Sequence, residues 1–171
     1  MKIRSGFVSN SSSSSFILDF GHPVTDSDIR DFLSRHGSFF DFEKAVAEFK
    51  NDLTPLKEYI QTHGYKLDDI INELKDDYNS FNELKNEMRS IPYIKNLYDN
   101  RMNTAQKGID NLMNAKDIDN LYIIELSDHK DDNPNLFVED PNYPDDDYGT
   151  SLEYTLQQDW DPALKAVINN H

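Results

Sequence analysis

LYIIEL, residues 121–126, is the stretch on which the fold turns. Its β-branched and aromatic side chains are apolar on both faces of an extended backbone, which places it as a strand covered on two sides and central in a sheet. Two further runs qualify as neighbours. Phe16-Ile17-Leu18-Asp19-Phe20 reads as a first strand stopped by the breaker Gly21-His22-Pro23, and Ala166-Val167-Ile168 reads as a last one. The apolar spacing between the first two strands is helical, so the fold class is α+β: a small, mostly antiparallel sheet with a long helical insertion.

The helical signals run in order through residues 24–115. Thr25 and Asp28 form a capping box ahead of Ile29, Phe32, Leu33 and His36, with Gly37 as a stop. Phe42, Ala45, Val46 and Phe49 give a short amphipathic helix, and Thr54-Pro55 starts another that carries Leu56, Tyr59, Ile60 and His63 to Gly64. A longer three/four spacing follows: Leu67, Ile70, Ile71, Leu74, Tyr78, Phe81, Leu84 and Met88, broken at Ile91-Pro92. It resumes with Ile94, Leu97, Tyr98, Met102, Ala105, Ile109, Leu112 and Met113, so two long helices pack as an antiparallel hairpin. Such a hairpin serves as core or as an exposed protein-binding arm, and core is the expectation.

With 171 residues the chain is one domain that buries a core without staples. It divides into a Ser-rich leader (1–15), the helical region (24–115) and a strand region (121–171) whose residues 128–150 read as a long surface loop. There are no cysteines, which excludes disulfides and thiol chemistry and favours a reducing compartment. Lys2 and Arg4 precede no continuous apolar stretch of signal-peptide length, and no apolar run is long enough to cross a bilayer. The expectation is a soluble, cytoplasmic protein with no membrane partner.

The formal net charge is −15, and it is concentrated. Residues 125–161 hold twelve acids against the single base Lys130, a net of −11, which leaves the rest of the chain near balance. Direct binding of nucleic-acid phosphates by this segment is excluded on charge.

Motifs for phosphate loops, nucleophile elbows and His-Glu-x-x-His zinc sites are absent. An EF-hand loop begins correctly with Asp131, Asn133 and Asn135 but places Leu136 where glycine is required and Asn142 where the closing Glu belongs. No catalytic residue and no cofactor is therefore assigned. One metal-type constellation survives as an alternative: Asp128 and His129 after the central strand, Glu153 on an expected strand after the acidic loop, and His171 after the last strand. Carboxylates and imidazoles of this kind hold a divalent metal or transfer protons, although a solvated loop His and a terminal His account for the same residues. His22, His36 and His63 adjoin turns or helix ends and read as structural.

Seven of the fourteen serines fall in the first fifteen residues. Taken alone, Ser11 to Ser15 read as a flexible leader that buries nothing; with Arg4 they also offer hydroxyls and main-chain N–H groups for a polar groove or an anion. The leader as a whole, Arg4, Gly6-Phe7-Val8-Ser9-Asn10, Ser11 to Ser15 and Phe16, resembles the opening of a set of uncharacterised small proteins of bacteriophages and their bacterial hosts. The resemblance covers about a tenth of the chain and implies an origin, with no mechanism attached. A vaguer similarity extends to Ser127-Asp128, Leu152-Glu153, Ile168 and His171.

The functional expectation is a bacteriophage-associated accessory protein that binds a host or phage protein. In its sharper form it is an acidic nucleic-acid mimic that inhibits a host factor. The residues expected to bind are Asp131, Asp132, Asp145, Asp146 and Asp147 of the acidic loop, with Arg4, Ser11, Ser12 and Ser13 of the leader. The alternatives are a metal-dependent enzyme using Asp128, His129, Glu153 and His171, and a structural component of a virion. No oligomeric state follows from the sequence.

Overall fold

The computed structural model describes residues 13–87, 91–115, 117–129, 131–139 and 149–169. In chain order the elements are β1 (Ser13–Asp19), α1 (Asp26–Ser34), α2 (Phe42–Asp52), β2 (Thr54–Pro55), α3 (Leu56–His63), α4 (Leu67–Glu87), α5 (Pro92–Met113), β3 (Leu121–Ser127), β4 (Phe137–Val138), β5 (Thr150–Ser151), α6 (Leu152–Gln158) and β6 (Leu164–Asn169). The fold is α+β. Four strands form an antiparallel sheet in the order β2-β3-β1-β6, so the LYIIEL strand is interior, and β1 beside it is interior as well.

Strand alternation sorts the apolar residues into two cores, one on each face of the sheet. Phe16 and Leu18 of β1, with Ile124 and Leu126 of β3, meet Ile29, Phe32 and Leu33 of α1, Ala45, Val46 and Phe49 of α2, and Leu152 and Leu156 of α6. On the opposite face Ile17, Ile123, Ala166 and Ile168 meet Leu56 of α3, Ile70 and Leu74 of α4, and Ile109 and Leu112 of α5. Each large apolar side chain buried this way contributes roughly 1.5–3 kcal/mol.

Local chemistry sets the helix ends. At α1 the capping box forms in both directions: Asp28 N–H donates to Thr25 Oγ1 at 3.2 Å, and Thr25 N–H donates to Asp28 Oδ2 at 2.8 Å. Asp41 caps α2 by accepting from Lys44 N–H, α3 stops at Gly64 with φ of 68°, and α5 starts on Pro92.

Three local expectations are corrected and one is extended. The first strand begins at Ser13, within the serine run, and ends at Asp19; Phe20 lies beyond it and packs edge-on against Phe32. Thr54-Pro55 leads into α3 as expected, with Pro55 at the N-cap, and also forms a two-residue strand pairing with Ile123 and Tyr122 at the sheet edge, where the missing N–H of proline is tolerated. Segment 128–150 is not wholly a surface loop, because Phe137 and Val138 pair with Ser151 and Thr150, and Leu136 to Val138 are buried. Glu153 stands on α6 and not on a strand; the helix is capped by Ser151, whose Oγ accepts from Tyr154 N–H at 3.1 Å.

Helices α4 and α5 pack together as an antiparallel hairpin. Close approach of α5 to the sheet depends on Gly108: a Cβ there would lie 3.1 Å from Ala166 Cβ and 3.2 Å from Leu74 Cδ1. The buried positions of α4 end at Asp77 and those of α5 begin at Met102. The half nearer the sheet is therefore core, as expected. The distal half, 78–87 and 92–101, contains no buried residue and, at 1.5 Å per residue, extends for about 15 Å.

Candidate functional site

Because β1 alternates, Ser14 points to the same face as Phe16 and Leu18, toward α6, whereas Ser13 and Ser15 share the face of Ile17. All three are fully buried. Small side chains at these positions leave room for polar groups from the flanking layers. Ser14 Oγ donates to Glu153 Oε1 at 2.9 Å and contacts Asn169 Oδ1 at 3.4 Å, and Gln157 Nε2 donates to Ser14 Oγ at 2.9 Å. Gln157 also donates to Glu153, one turn back on the same helix. Ser13 to Ser15 are thus interior strand residues, with Ser14 tied into a buried polar cluster, in place of the flexible leader that their composition suggests. Arg4, Ser11 and Ser12 lie outside the described residues.

The end of β3 is folded back on itself in a similar way. Buried Asn133 accepts from Ser127 N–H at 2.8 Å, Ser127 Oγ donates to Asp132 at 2.9 Å, and His129 N–H donates to Ser127 Oγ at 3.0 Å. This turn brings Asp128 and His129 within 3.8 Å of each other on the surface, with Asp131 and Asp132 exposed nearby in sequence. Glu153 does not join them: it is buried and committed to Ser14 and Gln157. Among the described residues no group of three His, Asp or Glu side chains is placed to hold a metal. His171, like Asp145, Asp146 and Asp147, lies outside the described residues.

The acidic segment is less of a surface than its sequence suggests. Asp161 is almost fully buried, accepting from Arg35 Nε at 2.9 Å, Arg35 Nη2 at 3.0 Å, His36 Nε2 at 2.7 Å and Ala163 N–H at 2.8 Å. Burial pushes its carboxyl up, but the hydrogen bonds from His36, Arg35 and Ala163, together with the guanidinium charge, hold it well below the usual carboxylate range. Of the twelve acids, Asp161 and Glu153 are internal; Asp128, Asp131, Asp132, Glu139 and Asp159 are exposed. The other histidines also make structural contacts: His22 pairs with Asp28, and His63 stacks on Tyr59 and Tyr65.

Two further features stand out, the second already offered by the sequence as an exposed protein-binding arm. One is a cleft of about 720 Å³ between the hairpin and the α6–β6 layer, lined by Asp77, Arg101, Lys107, Gln157, Trp160 and Asn169 among others. The other is the distal hairpin itself. Phe81 stacks on Tyr98 with ring centroids 6.2 Å apart, Lys85 pairs with Asp99, and Arg101 lies over the Phe81 ring. These contacts hold the two helices together where the sheet no longer buries them. At the start of α5, Ile91, Tyr93 and Leu97 remain 47%, 78% and 37% exposed. None of the described helices is long and apolar enough to cross a membrane.

Comparison of the chain with protein-family models, with curated proteins and with solved structures returns no match.

Proposed function

We propose that the protein works by binding another protein, and that the distal half of the α4–α5 hairpin is the contact surface. The observation that carries this reading is the exposure of Ile91, Tyr93 and Leu97, three large apolar side chains within seven residues, at one end of a paired helical element whose distal half buries no residue. Exposed apolar groups grouped in this way mark interaction surfaces, and tyrosine is a preferred anchor in them. A helix pair braced by Phe81, Tyr98, Lys85 and Asp99 presents those side chains with little ordering left to be done on binding. The leader's resemblance to bacteriophage-associated proteins supplies the setting, an accessory protein acting on a host or phage protein. The exposed acids Asp128, Asp131 and Asp132 add charge complementarity for a basic partner.

A photo-crosslinking residue at Tyr93, compared with one at exposed Lys66, identifies what the arm touches. The affinity of the purified partner is then measured for the wild type and for Tyr93→Asp/Leu97→Asp. Loss of a central anchor costs at least about 2 kcal/mol, so a drop of about 30-fold or more is expected. A partner bound equally well by the double variant refutes the reading.

A further inference from the structure

The cleft between the hairpin and the α6–β6 layer has a charge arrangement that the protein-binding reading does not use. Of the three described arginines, Arg30 and Arg35 each grip a carboxylate, Glu43 and Asp161, through two nitrogens. Arg101 makes no ion pair among the described residues; its guanidinium lies 5.6 Å from the Phe81 ring centroid. Lys107 is in the same position, with its ammonium 4.8 Å from the Trp160 ring centroid. In a chain with 32 acids and 17 bases, both cations that line this cleft among the described residues rest on aromatic faces. An aromatic face orients a cation without neutralising it, so its full charge stays available to a ligand. The opposite wall offers neutral partners. Gln157 spends its amide N–H groups on Ser14 and Glu153, which leaves its carbonyl as an acceptor, and Asn169, whose Oδ1 faces Ser14, retains its amide nitrogen as a donor. Asp77 and Asp110 also line the cleft, which favours a single anionic head over a polyanion.

We propose that this cleft binds a small hydroxylated organic anion, with one carboxylate or phosphate head on Arg101 and Lys107 and its hydroxyl groups on Gln157 and Asn169. The guanidinium fork matches either head, and the volume suits a molecule of sugar-acid or sugar-phosphate size. The site shares Leu97 and Arg101 with the distal hairpin, but Ile91 and Tyr93 lie outside it.

Trp160 is the only tryptophan in the chain, so intrinsic fluorescence reports on this wall directly. Titration with glucose 6-phosphate, gluconate and inorganic phosphate, each against sodium chloride of matched ionic strength, distinguishes the two heads from each other and from salt; glucose tests the need for charge. A saturable change with glucose 6-phosphate or gluconate at a Kd of about 1 mM or tighter, and none with glucose, is the expected result. By calorimetry, Arg101→Gln and Lys107→Gln each weaken that binding by about 10-fold or more, while Lys95→Gln, exposed on α5 outside the cleft, leaves it unchanged. Both lining variants alter exposed residues, and circular dichroism confirms their fold. No saturable response beyond salt to either hydroxylated anion, or equal affinity in the two lining variants and wild type, overturns the proposal.

Discussion

Replacing Asp161 with asparagine is the sharpest test of how the strand region is held to the first helices. The carboxylate is buried, bridges Arg35 and His36 at the end of α1, and accepts from Ala163 N–H just before β6. Asparagine preserves the shape and one acceptor but removes the charge and turns a donor toward groups that are themselves donors. Breaking a buried ion pair from one side costs about 3–5 kcal/mol. Here the Arg35 side chain is 42% exposed and regains water, so the expected loss is lower, about 2–4 kcal/mol. For a chain of this length that is a fall in Tm of roughly 5–15 °C. Equilibrium urea unfolding followed by circular dichroism measures it at pH 7 and again in steps down to pH 3. The folded-state pKa of Asp161 is lowered, so its contribution is complete above the unfolded value of about 3.9 and is lost as pH falls toward the folded value. The gap between wild type and Asp161→Asn should therefore narrow below about pH 4. A gap under 1 kcal/mol at pH 7, or one that stays constant to pH 3, refutes the ionic account of this contact.

Two further substitutions probe the packing around the cleft. Gly108→Val places a side chain where even a Cβ is crowded by Ala166 and Leu74, and overpacking of this kind should cost about 1–3 kcal/mol in urea unfolding; a variant as stable as wild type would show that α5 shifts freely over the sheet. Ser14→Ala deprives Glu153 of a donor and Gln157 of an acceptor, so a loss of about 1–3 kcal/mol is expected against less than about 0.5 kcal/mol for exposed Ser34→Ala. Equal effects of the two serine changes would mean that the buried hydroxyl contributes nothing specific.

What could be read from sequence was whatever its own neighbours in the chain determine. LYIIEL announces an interior strand because both of its faces are apolar, and the three/four spacing from Leu67 to Met113 announces the hairpin because amphipathicity is periodic. The serines resisted reading because the residues that satisfy Ser14 lie 139, 143 and 155 positions away, as Glu153, Gln157 and Asn169. Nothing local distinguishes them from a solvated run. Glu153 was misplaced for a related reason, since a seven-residue helix carries too little periodicity to stand out from an acidic surrounding. β2, β4 and β5 have two residues each, too few for any alternation to register. Composition likewise counted Asp161 with the surface acids, although Arg35 and His36 draw it inside. The cleft had no contiguous motif at all: Arg101 and Lys107 come from one helix, and Trp160, which meets Lys107, comes from the connection between α6 and β6.

The position of β1 in the sheet also sets the order in which the molecule is able to form. Its two partners, β3 and β6, begin more than a hundred residues downstream, at Leu121 and Leu164. On a ribosome adding about 5–20 residues per second, β1 waits roughly 7–30 s for β6 to be made. Until β3 is made, about two thirds of the way through that interval, Phe16, Ile17 and Leu18 lack both native strand neighbours, while the helices from α1 to α5 are already being made. The polar Ser13-Ser14-Ser15 half of the strand then has a second effect: it halves the length of the apolar edge that stays open during synthesis, and with it the chance that nascent chains pair with one another before their own sheet closes.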